Sequence, residues 1–139
     1  MAVEAERFGY STEAETISSS LPYLPLTLNY RHQTVMASGL LDTGAAVNVL
    51  PYHIGIELGA SWEEQTRPVK LTGNLAQQEA RVLIVTGTVS NFPEVRLAFA
   101  WTKSEDIPLI LGQVNFFMEF DVCFYRSQSA FEIKPKSQS

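Results

Sequence analysis

Three consecutive residues, Asp42-Thr43-Gly44, stand where chemistry could be done. They follow the apolar stretch Ala37-Ser38-Gly39-Leu40-Leu41 and precede Ala45, Ala46 and the run Val47-Asn48-Val49-Leu50-Pro51. A strand that ends in this way delivers a carboxylate into a tight turn and aims it at a cleft. A carboxylate so placed can take a proton from a water or return one to a leaving group. Other candidates are weaker. Cys123 is the single cysteine, so an internal disulfide is impossible, and it is expected as a small buried apolar residue. His32 and His53 lie in no recognisable motif and are expected at the surface or in structural roles. Too few ligands accompany them to hold zinc.

The rest of the chain must position that turn. At 139 residues it makes one domain, and 45% hydrophobic residues suffice for a real core. The net charge of −5, with ten scattered basic residues, argues against nucleic acid, which needs clustered Lys and Arg. No secretory signal is legible at the N-terminus, where four Glu accompany one Arg without an apolar segment. The most apolar window, 81–101, is interrupted by Gly87, Asn91, Pro93, Glu94 and Arg96, so no membrane span is expected. These features predict a soluble, cytoplasmic protein, and Met1 suggests a stand-alone chain.

Residues 1–20 are acidic and rich in Ser and Thr, and they predict a flexible arm, with 21–139 as the folded domain. From Leu21 the pattern is mostly β. Leu26, Leu28 and Tyr30 alternate with Thr27 and Asn29. The stretch Val35–Leu41 leads into Asp42, and Val47–Leu50 forms a short run. Val69–Leu75 carries Thr72-Gly73-Asn74, a turn signal at the tip of an expected hairpin. Val82–Val89 is rich in β-branched residues, and Ser90-Asn91-Phe92-Pro93 is a turn. Val95, Leu97, Phe99 and Trp101 alternate with smaller or polar residues, as a strand with one buried face requires. Val122–Phe124 and Phe131–Ile133 flank Arg126-Ser127-Gln128-Ser129 as a terminal hairpin. Val114, Phe117 and Met118 sit at helical spacing and predict a helix of about two turns. A second short helical piece is expected within 52–65. Trp62-Glu63-Glu64 reads as an exposed loop or helix edge. The Phe116, Phe117, Phe120 and Phe124 group reads as core or dimer contact. Together these elements predict an all-β closed small barrel or sandwich with one short C-terminal helix.

Roughly 70 residues after Asp42 comes Pro108-Leu109-Ile110-Leu111-Gly112. An Asp-Thr-Gly-Ala turn followed at this distance by hydrophobic-hydrophobic-Gly resembles the retropepsin-like, single-lobe aspartic proteases. The similarity runs from about Pro25 to Phe124 in the order of elements. The resemblance implies a homodimer, because such an enzyme needs two carboxylates and this chain has one Asp-Thr-Gly. Asp42 from each subunit would form a catalytic pair. Thr43 would make a cross-subunit hydrogen bond below it. Gly44 and Ala45 would let a peptide approach the backbone. Val49, Ile107 and Ile110 would line substrate pockets, and Gly73 would belong to a flap over an extended peptide. The implied function is an aspartic endopeptidase biased to acid pH, with no metal and no cofactor, whose partners are itself and an extended peptide or protein substrate.

Two departures stand out. Retroviral enzymes commonly carry an Asp after Asp-Thr-Gly-Ala and an Arg after the later Gly, and the two pair to brace the dimer. Here those positions hold Ala46 and Gln113, so both partners are missing together and no lone buried charge remains. Leu71-Thr72-Gly73-Asn74-Leu75 is also less glycine-rich than the retroviral flap. Three alternatives accompany this reading. Asp42-Thr43-Gly44 could be only a turn. The fold could serve a non-catalytic dimerisation or peptide-binding module. The acidic arm could be a self-cleaved leader.

Overall fold

The computed structural model describes residues 4–11 and 20–137. Strands β2 (Tyr23–Tyr30) and β3 (Gln33–Leu41) form an antiparallel hairpin. Strand β4 is Asn48–Leu50, followed by helix α1 (Tyr52–Glu57). Strands β5 (Ala80–Thr88) and β6 (Val95–Thr102) form a second long antiparallel pair, and β7 is Leu109–Leu111. These six strands close a barrel in the order β2-β3-β7-β4-β6-β5. Leu24, Leu26 and Leu28 of β2, Leu83 and Val85 of β5, and Leu97, Phe99 and Trp101 of β6 fill its interior. Their period of two is the alternation visible in the sequence. The architecture is therefore all-β, as expected.

A second sheet stands beside the barrel. Strand β1 (Glu6–Gly9) pairs with β9 (Ala130–Pro135), which pairs with β8 (Phe120–Tyr125). This corrects the expectation of a flexible arm over the part that is described. Phe8 stacks on buried Phe131 at 5.4 Å, and Arg7 meets Glu132 at 3.1 Å. A four-residue strand with one apolar side chain has no readable period, and its partner lies at the other end of the chain. Residues 12–19 of the expected arm lie outside the described residues.

Other local expectations are also corrected. Helix α2 is one turn, Phe116–Glu119, not two. Its buried member is Phe116, which stacks at 4.9 Å on Phe120 at the start of β8, whereas Val114 and Met118 are exposed. The alternation of Phe120, Val122 and Phe124 takes over and starts β8. Trp62 is buried, not on an exposed loop: it meets Trp101 edge-on at 5.3 Å, and the Arg81 guanidinium lies 4.5 Å above its ring. Cys123 is exposed, on the solvent side of edge strand β8. Residues 69–75 form no hairpin. Val69 touches the start of β5 through one main-chain bond, and a 3-10 turn follows over Gly73–Leu75. Gly73 takes a left-handed φ of 65° there, and the following Ala76-Gln77-Gln78-Glu79 has little β propensity.

Candidate functional site

Asp42 lies one residue beyond β3, and its turn is built locally. The Gly44 N–H donates to Asp42 Oδ1 at 3.0 Å, and the Ala45 N–H donates to the Asp42 carbonyl at 3.0 Å. The aspartate thus nucleates its own turn. Long-range contacts then fix its position. Strand β7 runs between β3, to which it is parallel, and β4, to which it is antiparallel. The Asp42 N–H donates to the Leu111 carbonyl at 3.0 Å, and the Gln113 N–H donates to the Ala45 carbonyl at 2.9 Å. Gly112 passes directly over this loop. A Cβ there would lie 2.4 Å from the Val47 carbonyl oxygen and 2.8 Å from that of Ala45. Both are main-chain atoms with nowhere to go. Gly112→Ala is expected to cost about 1–3 kcal/mol, read as a lower urea midpoint at unchanged slope.

Beneath the turn sits a buried polar hub that the sequence reading missed. Asn48 is fully buried. Its Oδ1 accepts the Gly112 N–H at 2.8 Å, and its Nδ2 donates to the Ala98 carbonyl at 3.1 Å and to Asn115 Oδ1 at 3.0 Å. Asn115 in turn accepts the Ala98 N–H at 3.0 Å and donates to the Arg96 carbonyl at 2.7 Å. One amide thereby ties β4, β6 and the segment after β7 together. The one available signal was an asparagine inside Val47-Asn48-Val49-Leu50, because a polar residue in a buried strand must be hydrogen-bonded.

A groove of about 500 Å³ opens at the Asp42 turn. Asp42, Gly44, Ala45, Val49, Gly73, Ile107 and Ile110 all line it, so seven of the eight residues expected at the site meet around one space. Thr43 does not line it. It is exposed, and its carbonyl accepts the Gln113 Nε2–H at 2.8 Å. Gln113 thus fastens the turn within its own chain at the position where the resemblance would put a bracing Arg. The floor is apolar: Val49 and Leu71 are buried with Ala80 and Ala100, and Ile107 and Ile110 pack against them. Residues 70–75 also line it, as a turn and not as the hairpin expected for a flap. Lys70 among them was not singled out in the sequence. The groove combines one half-buried carboxylate with apolar walls, which suits a proton-transfer group beside an apolar ligand.

No protein-family model matches the chain, and no curated protein matches it. Solved structures do. A retropepsin-like aspartic protease from Rickettsia conorii superposes with a TM-score of 0.66 at 15% identity, over 94% of this chain and 91% of that one. EIAV protease complexed with the inhibitor HBY-793 matches with a TM-score of 0.48 at 22% identity, over 75% of this chain and 88% of that one. The six-strand barrel, the threading of β7 between β3 and β4, and the near end-to-end match to the Rickettsia structure agree: this chain has the retropepsin-like fold.

Proposed function

We propose that the chain is an aspartic endopeptidase that works as a homodimer, with Asp42 of each subunit in one shared site. The observation that carries this reading is the position of Asp42. It sits at a turn clamped by β7, at the mouth of an apolar groove, in a fold shared with a protein described as an aspartic protease. Each chain supplies one such carboxylate, and the chemistry needs two.

The reaction follows from the pair. Two carboxylates about 3 Å apart cannot both ionise, so they share one proton. The ionised member takes a proton from a water, whose oxygen attacks the peptide carbonyl carbon. The protonated member donates to the carbonyl oxygen as negative charge develops there. The tetrahedral intermediate collapses, the C–N bond breaks, and a proton passes from the pair to the leaving nitrogen. Acid and base both come from Asp42, so the scheme calls for no metal or cofactor. Val49, Ile107 and Ile110 favour apolar substrate side chains, and Gly44 and Ala45 leave room for an extended backbone.

The pH dependence has a definite sign. The pair is active while it holds one proton. Activity is expected to fall when both carboxylates are ionised and when both are protonated. A peptide library incubated from about pH 3 to 8 is therefore expected to be cut best on the acid side. Specific activity is also expected to fall on dilution, because a monomer holds half a site. Peptides bound but uncut at every pH would identify a binding module. Undiminished turnover per chain through a demonstrated dimer-to-monomer transition would refute the shared site.

A further inference from the structure

A second groove, of about 620 Å³, lies on the other side of the Ile107-Pro108 segment, and those two residues line both grooves. One wall of it is strand β3. Over its whole length β3 pairs with β2, but β7 covers its other edge only at Gly39–Leu41. The outer edge of residues 33–38 has no strand partner among the described residues. Main-chain groups alternate between the two edges of a strand. The Asp42 N–H points toward β7, so Thr34, Met36 and Ser38 present theirs to the same side, where no strand pairs with them among the described residues. Met36 is 85% exposed at this edge, whereas an open strand edge is ordinarily blunted by charge or proline.

The facing wall is acidic. Glu57 of α1 and Glu105 and Asp106 before β7 are exposed and line the groove, and among the described residues neither Lys nor Arg does. His53 is a potentially basic side chain there, 3.3 Å from Glu105, whose Oε1 also accepts the His53 N–H at 2.9 Å. An unpaired strand edge offers main-chain bonds to an extended peptide, and the wall beside it selects the side chains.

We infer that this groove is an accessory docking site for an extended, basic segment of the protein substrate, which adds as a strand to the open edge of β3 and places lysine or arginine against Glu57, Glu105 and Asp106. The inference rests on the peptidase reading, and it supplies what the Asp42 groove lacks. The apolar pockets there read a few residues around the cut, whereas a segment crossing Ile107-Pro108 would be read again by charge.

The test separates docking from cleavage. The probe is a blocked peptide alternating lysine and valine, with a glutamate-valine peptide as control, and the protein is full-chain Asp42→Asn. The lysine peptide is expected to shift the NMR amide signals of Thr34, Met36 and Ser38. Its Kd is expected to rise about tenfold in Glu57→Lys/Asp106→Lys, with each single variant intermediate. Added salt is expected to weaken the binding, since exposed charges are screened over about 8 Å at physiological ionic strength. In the native enzyme, appending the lysine segment to a cleavable peptide is expected to lower KM at unchanged kcat. Amide shifts confined to Gly44 and residues 70–75, equal binding of the glutamate peptide, or no binding would overturn the inference. So would a change of oligomeric state in the charge variants, which would mean that a second copy occupies the edge. Docking without cleavage by the native chain would sink the peptidase and leave the docking edge standing.

Discussion

Asp42→Asn is expected to abolish peptide cleavage while leaving the protein folded. The asparagine keeps the volume and an oxygen to accept the Gly44 N–H, so the turn survives. It can neither hold the shuttled proton nor become a base. Because the proposed site draws both acid and base from this residue, the loss is expected to be about 10,000-fold or more. The effect should fall on kcat at unchanged substrate affinity, since Val49, Ile107 and Ile110 are untouched. Circular dichroism and the urea midpoint should match the native protein. Undiminished turnover by Asp42→Asn would falsify the assignment. Co-expression of native and variant chains sharpens the point: a mixed dimer has one carboxylate and should be as inactive as the variant itself.

Asn48→Ala is expected to give the largest loss of stability among single polar substitutions. The side chain is wholly buried, and its oxygen satisfies the Gly112 N–H at a main-chain crossing too tight for a Cβ. Alanine leaves that donor, the Ala98 carbonyl and Asn115 each short of a partner. Stranding buried polar groups costs about 1–3 kcal/mol apiece, so a total of about 2–4 kcal/mol is expected after partial relaxation. For a chain of this size, thermal unfolding should move down by about 10 °C. Asn48→Asp should do no better: it keeps an acceptor for Gly112 but loses the donor to Ala98 and sets a charge against Asn115 Oδ1. A change under about 1 kcal/mol in Asn48→Ala would show that water fills the space and takes over the bonds. Because Gly112 and Gln113 hold the Asp42 turn, activity should fall with stability.

These two residues mark what could be read from the sequence and what could not. Asp42 and the β7 segment were legible because a chemical signature and a glycine crossing depend on residue type at fixed order. Strands β2 and β6 were legible from their alternation, β3 and β5 from apolar and β-branched runs, and the β8–β9 hairpin from two apolar runs around a polar turn. Asn48 was hidden because its importance lies in partners from two distant segments, β6 and the stretch after β7, neither of them near it in the chain. Strand β1 was hidden for the same reason: Phe8 means little without Phe131 beneath it. Trp62 reads as exposed beside Glu63 and Glu64, yet the Arg81 guanidinium and Trp101 cover it. Cys123 reads as buried by residue type, but the register of β8 turns it outward. In each case tertiary position overrode local propensity. The segment 69–75 shows the converse: Gly73 marked a turn correctly, but a turn does not make a hairpin without strands to flank it.

The threading of β7 between β3 and β4 also sets the order in which the molecule can become active. The contacts that fasten the Asp42 turn come from residues 64 and 70 positions further along, through Asn48 with Gly112 and Thr43 with Gln113. Closing loops of that length costs entropy before any contact repays it. The β2–β3 and β5–β6 hairpins close over short turns and need not wait. A chain emerging from the ribosome can therefore build most of its barrel wall while Asp42 is still untethered. The groove at Asp42 is completed only when the last barrel strand slides into place, so the proposed site is withheld until nearly all of the fold around it exists.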